Sequence, residues 1–284
     1  MSLIHNPSIE KVITYIETHL DETMHLEELA KIASYSPYHF ARIFKQETGE
    51  NIAAMVKRLK LAQGIKQLLN LDMPITEVGQ ETGYETPSSF NKVFKQTFNC
   101  SPSEYRKQRR ATLQEAKKKL KGKPEIISLE ERYIVCYREL GEYGEAAYKA
   151  WRTLLTYLMS HQHEFPFPII LEEVERFGIC YDLPDITQEH LMRYEACVVI
   201  PEKLMNLPQG FYIKSIPKGR YAKYIYQGSY DDLYEVSPRF YGWVQEQNED
   251  LSNFPLLEKY CDDIHLLMQQ KVSHPTTELY LQLK

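Results

Sequence analysis

No apolar run of the roughly 18 residues that a membrane-spanning helix needs occurs in this chain of 284 residues. The first ten residues, Met1 to Glu10, hold no apolar signal core, so a cytoplasmic protein with no membrane partner is expected. Cysteine is scarce. The five present, Cys100, Cys136, Cys180, Cys197 and Cys261, are odd in number and include no Cys-x-x-Cys pair. That pattern speaks for reduced thiols and against structural zinc; its plainest reading is small core hydrophobes. Gly-x-Ser-x-Gly, His-Glu-x-x-His and the phosphate-binding glycine loop are all missing, so neither cofactor, metal nor catalytic residue is expected. His161-Gln162-His163 stands before Phe165-Pro166-Phe167-Pro168 and reads as a surface loop. No sustained heptad demands a dimer.

Apolar residues make up 43% of the chain, enough for two domains with cores. The net charge of -5 looks wrong for a nucleic-acid binder until it is divided. Residues 1–123 carry 19 Lys and Arg against 14 Asp and Glu; residues 124–284 carry 15 against 25. The first part can meet phosphate and the second would be repelled by it. An acidic second part suits a cationic ligand, or simply keeps the protein soluble.

The first 110 residues repeat one plan. Ser8 to His19 has apolar residues at Ile9, Val12, Ile13 and Ile16, a helical period. His25 to Ala33 is a short helix with Leu26, Leu29 and Ala30 facing in. Ser36 caps a helix with Pro37 at its first position and Gly49 as its stop. Phe40, Ile43 and Phe44 are its apolar stripe. A long helix over 51–70 follows. The plan then recurs: a short helix from Ile75 to Glu81, one from Pro87 to about Phe98, and a last one from Pro102 into the charged run near Lys119. Phe40-Ala41-Arg42-Ile43-Phe44-Lys45 matches Phe90-Asn91-Lys92-Val93-Phe94-Lys95. This is a doubled helix-turn-helix.

A helix that reads the major groove shows a polar face to base edges and an apolar face to its own domain. In the first copy Tyr38, His39, Ala41 and Arg42 are left outside, with Arg42 suited to guanine or to a phosphate. In the second copy Ser88, Ser89, Asn91 and Lys92 take the matching face, and small hydroxyls point to water-mediated reading. Lys45 and Lys95 suit phosphates, which position without specifying. Ordinary helix surface is the alternative for any one of these residues.

The stretch Gly83-Tyr84, Phe90, Phe94-Lys95, Ser101-Pro102 and Tyr105-Arg106 resembles the AraC/XylS family of bacterial transcription regulators. Asn99 stands where that family has glycine, and asparagine tolerates left-handed backbone. The resemblance implies base contacts at Tyr38, Ala41 and Arg42 and at Ser88, Ser89 and Lys92. It also implies a long middle helix that sets the two units on successive grooves, an activating role, and RNA polymerase as a partner. Ala41 departs from the longer polar residue often found there, so a target sequence cannot be carried over.

Residues 1–112 form the DNA-binding domain in this reading, 113–124 a basic connector and 125–284 a second domain. After Pro124 short apolar runs appear: Ile126-Ile127, Tyr133 to Tyr137, Cys197 to Ile200, Tyr221 to Tyr226, and Leu279 to Leu281. These read as strands. Helical stretches lie between, Glu145 to Leu158 and Leu233 to Gln247. Gly141-Glu142-Tyr143 precedes the first and Gly228-Ser229-Tyr230 the second, an echo that predicts a pseudo-twofold α+β domain with a cleft between its halves.

Aromatics crowd this half, Tyr143, Trp151, Tyr230 and Tyr260 among them. Most are core; the ring faces of a few would attract organic cations. One buried carboxylate would complement positive charge. Glu258, Glu195 and Glu173 are the candidates. Glu258 in Leu256-Leu257-Glu258-Lys259-Tyr260, taken alone, reads rather as an edge-strand or surface residue. Arg138 to Tyr143, Trp151, Gly178 to Pro184, Arg193-Tyr194-Glu195, Gly228-Ser229-Tyr230 and Glu258-Lys259-Tyr260 resemble the GyrI-like effector-binding domain. That resemblance implies a cleft for lipophilic, often cationic molecules and puts Glu258 at the ligand. A ligand-responsive transcription regulator is the reading that follows. Hydrolysis of a small reactive molecule, by Glu258 with Tyr143 or Tyr230, is the alternative, as is a protein partner for the second domain.

Overall fold

The computed structural model describes residues 6–284 apart from 70–72, 85, 118–119, 121, 205–206, 209 and 263–272. Asn70, Lys118, Lys119 and Lys121, read above as helix end and basic connector, lie outside the described residues. The chain divides into two compact units. One is Met1–Lys118 with Leu183–Leu191; the other is Lys119–Asp182 with Met192–Lys284.

Seven helices occupy the first unit among the described residues: α1 (Pro7–Thr18), α2 (Leu26–Ile32), α3 (Pro37–Thr48), α4 (Ile52–Leu69), α5 (Ile75–Glu81), α6 (Pro87–Phe98) and α7 (Pro102–Lys117). Local chemistry sets their ends. Asn6 caps α1 by accepting from the Ser8 amide. Gly49 and Asn99 close α3 and α6 in left-handed backbone, φ 77° and 55°, so asparagine does take the glycine conformation. Thr86 caps α6 in a reciprocal box with Ser89.

Each helix-turn-helix has its own core. Ile9, Val12, Ile16, Leu29, Phe40 and Phe44 fill the first; Leu61, Ile65, Leu68, Val78, Phe90 and Phe94 fill the second. The connecting helix α4 serves both, Met55 and Leu59 turning to the first and Leu61, Ile65 and Leu68 to the second. Two expected core positions are less buried: Ile43 is half-buried, and Leu26, at the start of α2, is 38% exposed. Gly83 explains its own identity. It sits at φ 69°, and a Cβ there would collide with the Leu20 carbonyl and stand 2.8 Å from Asp21 Cα.

Among the described residues the second unit is one antiparallel sheet with two α-helices. Its strands are β1 (Glu125–Leu129), β2 (Arg132–Leu140), β3 (Arg176–Cys180), β4 (Arg193–Ile200), β5 (Phe211–Ile216), β6 (Gly219–Gln227), β7 (Leu256–Tyr260) and β8 (Thr276–Gln282); the helices are α8 (Tyr143–Ser160) and α9 (Leu233–Glu246). The order across the sheet is β1-β6-β8-β7-β3-β4-β2-β5. Both halves run strand, strand, helix, strand, strand, and the order reads the same from either edge: β2-β4-β3 mirrors β6-β8-β7. The edge strands are exchanged, since β1 pairs with β6 and β5 with β2. The pseudo-twofold therefore passes between β3 and β7. Helix α8 packs on β2 and β4 through Trp151, Leu154 and Leu158, and α9 on β6 and β8 through Val236, Phe240 and Val244. A third cluster, with Ile134, Phe177, Ile179, Leu257 and Tyr280, covers the face turned away from the helices.

Three strands went unread in the sequence, β3, β5 and β7. Of these β7 matters most. It is not an edge strand: β3 and β8 flank it, so Glu258 stands in mid-sheet.

Candidate functional site

The outer faces of α3 and α6 carry the residues assigned to DNA. Tyr38 is 84% exposed, and His39, Arg42 and Lys45 are exposed with it; Ala41 is half-buried. On α6, Ser88, Asn91, Lys92 and Lys95 are exposed. Ser89 differs from the reading given above. Its hydroxyl donates to the Thr86 carbonyl at 2.6 Å and accepts from the Thr86 amide at 3.3 Å, so it holds the helix start. Thr86-Pro87 was the overlooked signal, a cap residue directly before a proline at the first helical position.

In the second unit the central strands bring a carboxylate and several rings together. Glu258 lies directly across from Gly178 on one side and Leu279 on the other, and is 7% exposed. Its parity points it to the helix-covered face. Its Oε2 accepts from Tyr260 Oη at 2.7 Å and its Oε1 from Cys180 Sγ at 3.5 Å. Tyr260 Oη meets Tyr194 Oη at 2.7 Å, and Trp151 Nε1 donates to Tyr194 Oη at 2.9 Å. An indole nitrogen only donates. With the Tyr260 proton given to Glu258, Tyr194 must donate to Tyr260, so every hydrogen in the chain points toward the carboxylate. Gly178 makes room for it: a Cβ there would collide with the Tyr194 hydroxyl and lie 2.6 Å from that of Tyr260.

Tyr230 stacks edge-on against Tyr260 at 5.5 Å, Trp151 does so at 5.6 Å, and Tyr143 meets Tyr194 at 6.4 Å. The structure thus gathers Glu258, Tyr143, Trp151, Tyr230 and Tyr260, and adds Tyr194 and Cys180. Alternation along Arg193-Tyr194-Glu195 is the signal that finds Tyr194, because neighbours on a strand face opposite ways. Burial pushes the Glu258 carboxyl above its usual range, against the hydrogen bonds from Tyr260 and Cys180. Burial, then the Glu258 charge, raises the Tyr260 and Tyr194 hydroxyls and the Cys180 thiol well up.

Two other candidate acids fall elsewhere. Glu173 is exposed, in a turn before β3. Glu195 is fully buried but on the other sheet face, since its strand neighbours Tyr194 and Ala196 take the helix side. There Arg138, Lys214 and the hydroxyls of Tyr181 and Tyr212 hold it. Burial alone would raise its carboxyl; Lys214, Arg138 and Tyr212 outweigh burial and hold it far below the usual range.

Cys136 and Cys197 are direct cross-strand partners, their sulfurs 3.0 Å apart, and a Glu195 oxygen lies within 4.8 Å of both. Separation in sequence hid this pairing. The set is a poor cation site, since Glu195 is committed to Arg138 and Lys214.

A doubled DNA-reading unit joined to a twofold sheet with a buried acid at its centre defines a DNA-binding regulator that carries a binding domain. The comparisons agree. A helix-turn-helix domain model matches residues 29–108, and a GyrI-like small molecule binding domain model matches residues 122–284. The chain belongs to the GyrI-like small molecule binding domain family, carried here behind an AraC/XylS-like helix-turn-helix region. The second of these models is described by small-molecule binding and the first by its helix-turn-helix. Regulatory protein PocR of Salmonella typhimurium is 33% identical over 104 residues, 37% of this chain and about a third (34%) of that protein's length. Regulatory protein SoxS of Escherichia coli is 26% identical over 102 residues, 36% of this chain and 95% of its own. The DNA-binding domain of AdpA, solved in complex with a target DNA, is 27% identical with TM-score 0.36, covering 37% of this chain and 95% of that one. Among the described residues no helix is long and apolar enough to cross a membrane.

Proposed function

We propose that this protein is a transcription regulator whose second domain senses a lipophilic organic cation at Glu258. One observation carries the reading: Glu258 is buried, and among the described residues no Lys, Arg or His pairs with it. A buried carboxylate without a cation is costly, and an incoming positive charge removes that cost. Glu195 is the internal contrast, equally buried but already paired twice. Tyr260, bonded to Glu258, with Trp151 and Tyr230 packed on it and Tyr143 packed on Tyr194, supplies apolar area and negative ring faces for a delocalised cation. A neutral ligand of the same shape gains the area and not the charge.

In this reading Tyr38, His39, Ala41 and Arg42, with Ser88, Asn91 and Lys92, face base edges, and Lys45 and Lys95 face phosphates. Ligand binding shifts how the first unit engages DNA and, at a promoter, RNA polymerase.

Calorimetry with tetraphenylphosphonium and neutral triphenylphosphine oxide, on wild type and Glu258→Gln, tests the ligand. The cation should bind wild type at least tenfold more tightly than the neutral probe, and Glu258→Gln should abolish the difference. Equal binding of both probes by wild type, or no binding by folded protein, overturns the cation reading. Transcription with purified polymerase, with and without the cation, tests the output.

A further inference from the structure

Nine residues that follow β3 do not group with the sheet. Leu183–Leu191 groups with Met1–Lys118. Within that unit Leu183 and Ile186 pack on the second reading core, beside Leu61, Leu68, Phe94 and Tyr105. Asp185 pairs with Arg109 of α7. Thr187, 4% exposed, accepts from Arg58 of α4 at 3.4 Å, and Arg58 also holds the buried Glu50. Leu191 lies against Gly49, the residue that ends the first reading helix; a Cβ there would stand 2.8 Å from Leu191 Cδ2. The segment thus touches α4, α7, the second core and the end of α3. It is internally folded as well, the Ile186 and Thr187 amides donating to the Leu183 carbonyl.

The two ends of the segment are tied together in the sheet unit. Arg193 gives its backbone amide and Nε to Asp182 Oδ2, at 2.9 and 2.8 Å, and Nη2 to Oδ1 at 2.9 Å. Both residues are buried. Tyr143 Oη donates to the Asp182 carbonyl at 2.6 Å and accepts from the Asp182 amide at 2.8 Å. The neck of the excursion is therefore closed by an ion pair and by a tyrosine whose ring rests on Tyr194, which is two hydrogen bonds from Glu258 through Tyr260.

We infer that Leu183–Leu191 is a strap: a piece of the effector-domain polypeptide built into the DNA-reading unit. It fixes the packing of the second reading core and of the α3 terminus, and its two ends are held together by the Tyr143–Asp182–Arg193 neck. The inference rests on contacts internal to each unit and holds whatever ligand Glu258 takes.

Amide hydrogen exchange on the full-length protein tests it, with peptides from 61–69, 75–81 and 87–98 against peptides from β2, β4 and β8. Leu183→Ser with Ile186→Ser should speed exchange in the helical peptides by roughly tenfold and leave the strand peptides unchanged. Thr187→Val, which keeps the packing, should give a smaller change confined to α4. Tyr143→Phe should speed exchange at 183–191 and in α7. Unchanged helical peptides in the double variant overturn the strap. An equal rise in every peptide, helical and strand, overturns it also, because the segment would then be ordinary core. An unmoved α7 in Tyr143→Phe overturns the role of the neck.

Discussion

Two buried glutamates in one domain are set to opposite tasks by their neighbours. The native Glu258 carboxyl is raised, so the folded state lets its proton go later than the unfolded chain does. Stability is then whole below the ordinary carboxylate value of 4.5 and falls as pH climbs through the raised native one. Glu258→Gln should accordingly melt higher than wild type at pH 7, with the gain vanishing near pH 4 by calorimetric melting. The native Glu195 carboxyl is depressed, which supplies stability above 4.5 that is lost as pH falls toward its native value. Glu195→Gln strands Arg138 and Lys214 and should cost about 3–5 kcal/mol at pH 7, measured by urea melts, with the deficit shrinking at acid pH. Gly178→Ala should cost about 1–3 kcal/mol by overpacking and break the Tyr194–Tyr260–Glu258 chain, read as loss of ligand response in calorimetry. Resemblance singled out Glu258 in the sequence and included Gly178 to Pro184 among its matching stretches, whereas the contacts of Gly178 and Cys180 with the Glu258 site show only once β3 is laid beside β7. Glu173, the third candidate acid, lies exposed in a turn.

At the level of elements, the helices were legible and the central strands were not. Pro37, Gly49, Pro87 and Pro102 mark helix ends by local backbone chemistry, and both ends of α3 and the starts of α6 and α7 fall where those residues put them. Strands β3 and β7 are buried on both faces, so Arg176–Cys180 and Leu256–Tyr260 show no clean polar alternation to read. In the first unit the turn before α6 depends on Gly83, and Gly83→Ala should unfold the second reading unit selectively. Loss of DNA binding in a gel shift, with cation binding intact, is the expected pair of results. Lys45→Ala and Lys95→Ala should each lower the slope of log affinity against log salt by about 1 without changing sequence preference. Arg42→Ala should cost about 1–3 kcal/mol on the target site and relax preference there. Binding titrations across salt and across operator variants separate the two behaviours.

On the scale of the whole molecule, the charge division placed a basic half before an acidic one, and the two units follow that division along most of the chain. The repeats were legible as well, since each copy of a motif needs the same buried residues. What stayed hidden was any segment whose partner lies far away in sequence. Leu183-Pro184-Asp185-Ile186-Thr187 carries no helical or strand period, and its place beside Phe94 and Tyr105 comes from three-dimensional packing alone. This has a consequence for modular exchange. Cutting near residue 120 and joining 120–284 to a foreign DNA reader would bring along Leu183, Ile186 and Leu191 without the seat that buries them. Such a hybrid would expose a sticky apolar loop, while the donor half left behind would carry an open groove over its second core. A functional transplant has to move the nine residues together with the reader they fit.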